Sequence, residues 1–243
     1  MQSGAPRMRV RPWRRTLRGA LSALLAFGSI AQAGESSAPD TMKFLALGDS
    51  YTIGESVAES GRWPVQLARA LRDEGIALAE PRIIATTGWT TDELSAAIDA
   101  AEPLGTFAFV SLAIGVNNQY RGRSADEYRD EFALLLDRAI GFADGRADRV
   151  LVLSIPDWGA TRFGAESGRD LARVARELDA YNAIAREVCA ARGVAFVDIA
   201  PVSRARGGEA AMLADDGLHP SAAMYAEWTR LALPAARKAL AAP

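Results

Sequence analysis

Asp216-Gly217-Leu218-His219-Pro220 sets a carboxylate three residues ahead of the only histidine in a chain of 243 residues, and far upstream Gly48-Asp49-Ser50-Tyr51 places a serine in a turn that closes an apolar run. A serine hydroxyl attacks an acyl carbon near neutral pH only if something removes its proton. Imidazole, with an unperturbed pKa of about 6.5, takes and returns a proton in that range. If Ser50 is a nucleophile, His219 must be its base, because the chain offers no other histidine. Asp216 is close enough in sequence to hold one ring nitrogen and fix which tautomer faces the serine, whereas Asp215 competes for the role at a less suitable spacing. Taken alone, the pattern also describes a surface histidine with an acidic neighbour.

Acyl transfer also needs donors for the oxyanion that develops, each worth about 3 to 4 kcal/mol of transition-state stabilisation. The candidates are the backbone N–H of Ser50, the backbone N–H of Gly88, and the side-chain amide of Asn117. Glycine and asparagine are ordinary turn residues too, so either alone could be a plain turn. Asp49 fits a tight turn whose backbone amides it supports. Trp89, Tyr120 and Trp158, with Gln119, Arg121, Arg162 and Phe163 beside them, are candidates to line an acyl pocket or stack on a sugar; loop packing would account for any one of them. Tyr51 and Ile53 are expected to be half-buried scaffold.

Short apolar runs at Lys43–Leu47, Arg82–Ala85, Phe107–Ile114, Arg149–Ile155 and Val194–Ile199 alternate with amphipathic segments at Trp63–Asp73, Thr91–Ala101, Ala125–Phe142, Arg169–Arg192 and Ser221–Ala241. Strands apolar almost throughout imply burial on both faces, and the β-then-α rhythm predicts an α/β fold with a parallel sheet between helix layers. Each polar cluster follows a strand: Gly48-Asp49-Ser50 the first, Thr86-Thr87-Gly88 the second, Gly115-Val116-Asn117-Asn118 the third, Pro156-Asp157-Trp158-Gly159 the fourth. In such sheets the ligand crevice opens beyond the carboxyl ends of the strands, so the four clusters share one edge. The His219 loop, between the fifth strand and the last helix, can reach it as well. Pro220 suits the first turn of that helix.

The composition is that of an ordinary globular domain, 49% hydrophobic and 24% charged. Six arginines between Arg7 and Arg18 precede an apolar stretch from Ala20 to Ile30 and then Ala31-Gln32-Ala33. This reads as a cleavable signal peptide over residues 1–33, with an Arg14-Arg15 pair loosely like a twin-arginine export signal, a linker at 34–41, and a domain at 42–243. The apolar stretch is too short for a membrane span, which needs about 20 residues. The expected location is periplasmic or secreted, with no stable membrane insertion after cleavage. Removing residues 1–33 leaves 22 basic and 30 acidic residues, a net charge of −8 that suits neither nucleic acid nor an anionic membrane. Cys189, the only cysteine, lies at helical spacing with Leu171, Val174, Leu178, Ala185 and Val188 and should pack in the core. One His and one Cys assemble no usual zinc site, and no cofactor is expected. The Gly48–Gly54 turn matches neither the dinucleotide fingerprint nor a phosphate loop.

Ser50, Gly88, Asn117 and His219, each in its own local block and in this chain order, resemble the SGNH hydrolases, also called the GDSL esterase and lipase family. The resemblance runs over roughly residues 42 to 240. It rests on Leu47-Gly48-Asp49-Ser50-Tyr51-Thr52-Ile53-Gly54, Thr87-Gly88-Trp89-Thr90-Thr91, Ile114-Gly115-Val116-Asn117-Asn118 and Asp215-Asp216-Gly217-Leu218-His219-Pro220. It implies a flavodoxin-like three-layer α/β/α sandwich with a five-stranded, mainly parallel sheet in the order 2-1-3-4-5. It also implies a Ser50–His219–Asp216 triad, and an oxyanion hole of Ser50, Gly88 and Asn117. Tyr51 stands where the family name has leucine, and Asn118 where an aspartate is commoner, a change expected to bear on loop support. The implied activity is hydrolysis of carboxylic esters of short to medium acyl chains through an acyl-serine, with thioesters as a further class open to the same chemistry. The alternatives are a carbohydrate O-deacetylase and an inactive glycan-binding module using Trp89 and Trp158. The partner is a small-molecule or glycan ester; oligomeric state is open.

Overall fold

A computed structural model describes residues 41–241. The expected signal peptide lies outside the described residues, as does the linker but for Thr41. Five strands, β1 (Phe44–Gly48), β2 (Arg82–Ala85), β3 (Phe109–Ala113), β4 (Val150–Leu153) and β5 (Ala195–Val197), form one sheet in the order β2-β1-β3-β4-β5. Every pairing is parallel. The expectation of burial on both faces holds for β1, β3 and β4, which are buried at every position. It fails for β2 and β5, where Arg82 and Ala195 are exposed. These two edge strands have one neighbour each, so less of their surface is covered.

Between the strands run α1 (Ser50–Ile53), α2 (Trp63–Asp73), α3 (Thr91–Ala101), α4 (Val116–Tyr120), α5 (Ala125–Phe142), α6 (Arg162–Glu166), α7 (Leu171–Arg192), α8 (Ala200–Arg206) and α9 (Ala222–Ala241). The chain reverses direction across the sheet after β2. With crossovers of the usual right hand, this reversal puts α2 on one face, where it packs on α9, and α3, α5 and α7 on the other, where α5 packs on both its neighbours. The result is the expected three-layer sandwich.

Capping side chains trim the helices. The Asp170 side chain accepts from Arg173 N, so α7 starts at Leu171, and Gly193 ends it in the left-handed region at φ 70°. Thr90 and Glu93 form a reciprocal capping box at the head of α3. Ser221 Oγ accepts from the amides of Ala223 and Met224, which puts Pro220 ahead of the cap rather than in the first turn of α9 as expected. Helices α1, α4, α6 and α8 have no counterpart in the sequence reading, because four to seven residues are too few to display a helical period. Among the described residues no helix is long and apolar enough to cross a membrane.

Candidate active site

The turn that carries Ser50 is fixed by close approach. A Cβ on Gly48 would collide with Thr52 Oγ1 and lie 2.5 Å from the Ala113 carbonyl, so only glycine lets β1 meet β3 and then fold back into α1. Asp49 caps α1, its side chain accepting from Tyr51 N at 3.0 Å, which is the turn support expected of it. Burial drives the Asp49 carboxyl up to about 7 against the opposing pull of the Tyr51, Asp49 and Gly115 amides. Ser50 follows as the first residue of α1, almost wholly buried yet lining a cleft.

Gly88 sits on the turn after β2 at φ 90°, a conformation that L side chains avoid. Its carbonyl accepts from Arg121 Nη2 at 2.6 Å, while Arg121 Nη1 reaches Glu93 at 3.2 Å. Asn117, in α4, donates one amide hydrogen to the Trp89 carbonyl at 2.9 Å. A primary amide has two such hydrogens, so one remains for a ligand. Next to it, fully buried Asn118 accepts from Thr91 N at 3.1 Å and donates to Thr91 Oγ1 at 2.5 Å, tying α4 to the head of α3. The departure at position 118 thus bears on loop support, as expected. Its reason lies in Thr91, whose hydroxyl proton goes to Glu131 and leaves a lone pair that an amide hydrogen can meet.

The histidine loop is stapled at its base by a bridge between Leu213 and Pro220 and by Ala214 N donating to the His219 carbonyl at 2.8 Å. Asp216 Oδ1 accepts from the amides of Leu218 and His219, at 2.8 and 2.9 Å; Oδ2 meets His219 Nδ1 at 2.8 Å and the Ser56 hydroxyl at 2.8 Å. Partial burial would raise the pKa of this carboxyl, but the four hydrogen bonds override it and hold the group well below the usual carboxylate range. A carboxylate accepts only, so in the neutral ring Nδ1 carries the proton and Nε2 presents a lone pair. Asp215 is not the partner: among the described residues only its carbonyl is engaged, by Arg162 Nη2 at 2.9 Å.

Ser50, Gly88, Asn117 and His219 line one cleft of about 210 Å³, with Tyr51, Thr87, Val116, Tyr120, Trp158, Phe163 and Leu218. Among the described residues Ser50 Oγ makes no hydrogen bond to the His219 ring, although both face this space. In unliganded enzymes the nucleophile–base contact is commonly long and tightens in the substrate complex. His219 is itself buried, with Tyr51 edge-on to its ring at 5.6 Å between centroids. Tyr51 is therefore buried rather than half-buried, and it contacts the cleft.

Tyr120 and Trp158 line the cleft as expected. Trp89 does not: its side chain packs against the core, and its carbonyl is what serves the site. Gln119, Arg121 and Arg162 hold their neighbours in place; none of them lines the cleft. Sequence reasoning missed Ser56, whose signal is structural. It is a non-glycine residue at φ 62°, a backbone state that comes into view only with coordinates. Val116, which opens α4, and Leu218 in the histidine loop were missed because apolar residues there look like packing. Cys189 is buried in α7, and burial pushes its thiol up to about 12, so it is inert. Among the described residues no three His, Cys, Asp or Glu side chains are grouped to hold a metal ion.

A family profile described as the GDSL-like Lipase/Acylhydrolase family matches residues 46–227. Among solved structures, TesA is similar at 21% identity and a TM-score of 0.64, over 82% of this chain and 99% of that one. A lipase/acylhydrolase from Enterococcus faecalis matches at 21% identity and 0.59, over 80% and 94%. A variant of Axe2, an acetyl xylan esterase from Geobacillus stearothermophilus, matches at 19% identity and 0.62, over 80% and 94%. At these identities the likeness is one of fold. No curated protein sequence matches the chain.

Proposed function

Since this chain belongs to the GDSL-like lipase/acylhydrolase family and is a carboxylic-ester hydrolase, we propose that Ser50 is its nucleophile, His219 the base, and Asp216 the residue that orients and charges the base. The observation that carries this reading is the 2.8 Å Asp216–His219 pair opening on the same cleft as Ser50, Gly88 and Asn117.

Ser50 Oγ attacks the carbonyl carbon as its proton passes to His219 Nε2, and Asp216 stabilises the imidazolium. The oxyanion takes hydrogen bonds from the Ser50 and Gly88 amides and from the free amide hydrogen of Asn117. The bond to the alcohol oxygen then breaks, with that oxygen taking the proton from His219. Water attacks the acyl-serine and gives a proton to His219. Collapse expels the Ser50 oxygen, which recovers its proton, and frees the acid. Asn117 is held by the Trp89 carbonyl and by its neighbour Asn118, so the donor is preorganised.

The cleft supports small acyl groups. Its 210 Å³ corresponds to about seven water-sized groups, and its apolar wall suits a hydrocarbon. A carbohydrate O-deacetylase is a second reading within the same chemistry, favoured by that small volume, which suits an acetyl group. An inactive glycan-binding module has little support, since Trp89 faces the core and Trp158 is only 2% exposed. The reading includes export, on the strength of the basic and apolar segment at residues 1–33. The test is p-nitrophenyl acetate and butyrate turnover by the purified protein, with Ser50→Ala and His219→Ala as controls. Each variant is expected to lose at least about a thousandfold in kcat; turnover undiminished in both would overturn the mechanism.

A further inference from the structure

Trp158 lines the cleft. Its indole is fixed from behind: Nε1 donates to Gln119 Oε1 at 2.9 Å, and Gln119 Nε2 donates to Glu177 Oε2 at 2.8 Å, which anchors the ring to α7. Tyr120 and Phe163 pack edge-on against it, with ring centroids 5.4 and 6.0 Å away. Beyond the indole lies a second, smaller cavity of about 20 Å³, reaching Met212, Leu213, Met224 and Trp228. The two spaces have Tyr51, Trp158 and Leu218 in common, so these three side chains are the partition between them. Tyr51 and Leu218 adjoin Ser50 and His219 in sequence and cannot change without disturbing the reacting groups. Trp158 comes from the loop after β4 and can.

The surface behind the partition is apolar or already hydrogen-bonded except at Trp228 Nε1, which is buried and has no partner among the described residues. Ser203 Oγ donates to the Ala200 carbonyl and accepts from Asp157 N, and Thr161 Oγ1 donates to the Trp158 carbonyl. The Asp157 carboxylate is taken up by Gly159 N and Arg204. None of these bonded groups needs a ligand.

We propose that Trp158 sets the acyl-chain length: its indole closes the apolar arm of the cleft to all but short acyl groups, and the chamber toward Met224 and Trp228 is an extension that it blocks. The proposal rests on Ser50 being the acylated residue. The acyl group is assigned to this arm because it stays bonded to the serine through both half-reactions, whereas the alcohol needs an open path to solvent. A wall that excludes water matters most for the arm that stays.

The experiment uses the full chain, p-nitrophenyl esters from acetate to decanoate, and alkyl acetates of matching range. The variants are Trp158→Ala, Trp158→Leu and the double variant Trp158→Ala with Met224→Phe. A fluorophosphonate probe on Ser50 reports which of them keep a folded site. The wild type is expected to lose about tenfold or more in kcat/KM between butyrate and octanoate. In Trp158→Ala the octanoate-to-acetate ratio should rise by about tenfold or more, with a smaller rise in Trp158→Leu, and Met224→Phe should cancel the gain by refilling the chamber. An unchanged acyl profile in any labelled Trp158 variant would overturn the proposal. So would a response confined to the alkyl acetate series, or a wild type that accepts octanoate as readily as butyrate. A wild type that neither labels nor turns over acetate sinks the esterase reading itself, which is a separate outcome.

Discussion

Ser56 shows how a residue remote in sequence can serve the His219 site. It occupies a left-handed backbone state, which costs a non-glycine residue of order 1–3 kcal/mol, and it places its hydroxyl on the Asp216 oxygen that also holds His219. Ser56→Gly should therefore separate stability from activity. The strain is relieved, so thermal unfolding is expected to be unchanged or to shift upward. A hydrogen bond to a charged acceptor is lost, so kcat should fall by about tenfold. Equal kcat in the variant, measured beside its melting temperature, would leave Ser56 without a part in orienting the base. Asp216 keeps three other hydrogen bonds in this variant, so the loss should stay far below that of His219→Ala.

At the scale of elements, the site is held where helix heads and loops meet. The junction of α4 with α3 depends on a chain of donors in strict order: Asn118 to Thr91, and Thr91 to Glu131. Asn118→Asp would set a carboxylate against a hydroxyl oxygen whose proton is already committed. The variant is expected to lose about 1–3 kcal/mol of stability. Adding Glu131→Gln frees the Thr91 hydroxyl to donate to the introduced carboxylate, so the double variant should recover most of the loss; a double-mutant cycle by denaturant unfolding reads the coupling. Additive effects would show that the order of donors is not what selects asparagine here. The opposite side of the cleft is clamped in the same manner, with Phe163 N on the Gly217 carbonyl at 3.0 Å and Arg162 on the Asp215 carbonyl, joining the head of α6 to the histidine loop.

At the scale of the whole molecule, Asp49 makes folding and pH depend on each other. Its carboxyl is raised in the folded state from 3.8 to about 7, so the folded protein binds a proton that the unfolded chain has already released across that window. Stability from this group is therefore complete below the unfolded value and is lost as pH rises toward the folded one, a change of up to about 4 kcal/mol. Asp216 has the opposite sign: its lowered folded value supports stability above the ordinary carboxylate range and is lost only in acid. Asp49→Asn keeps an acceptor for Tyr51 N and removes the charge. The melting-temperature difference between Asp49→Asn and wild type should grow in the variant's favour from about pH 5 to about pH 8, at about 2–4 °C per kcal/mol. A difference that stays flat across that range would mean that the carboxyl ionises at no cost in the fold.

The sequence by itself determined the layer order and the chemistry. Buried strands must be apolar on both faces and longer helices must carry a 3.6-residue period, so all five strands and the five longer helices were legible in their apolar runs. A single histidine left one candidate for the base, and the polar clusters after four strands pointed to the edge on which the cleft opens. Tertiary structure alone decided which residues face the substrate. Direction is set by packing across loops distant in the chain, and it turned Trp89 inward, gave Gln119, Arg121 and Arg162 to the scaffold, and brought Ser56 to Asp216 across 160 positions. Trp158 became a wall between two cavities for the same reason: a partition exists only once both of its sides have been built.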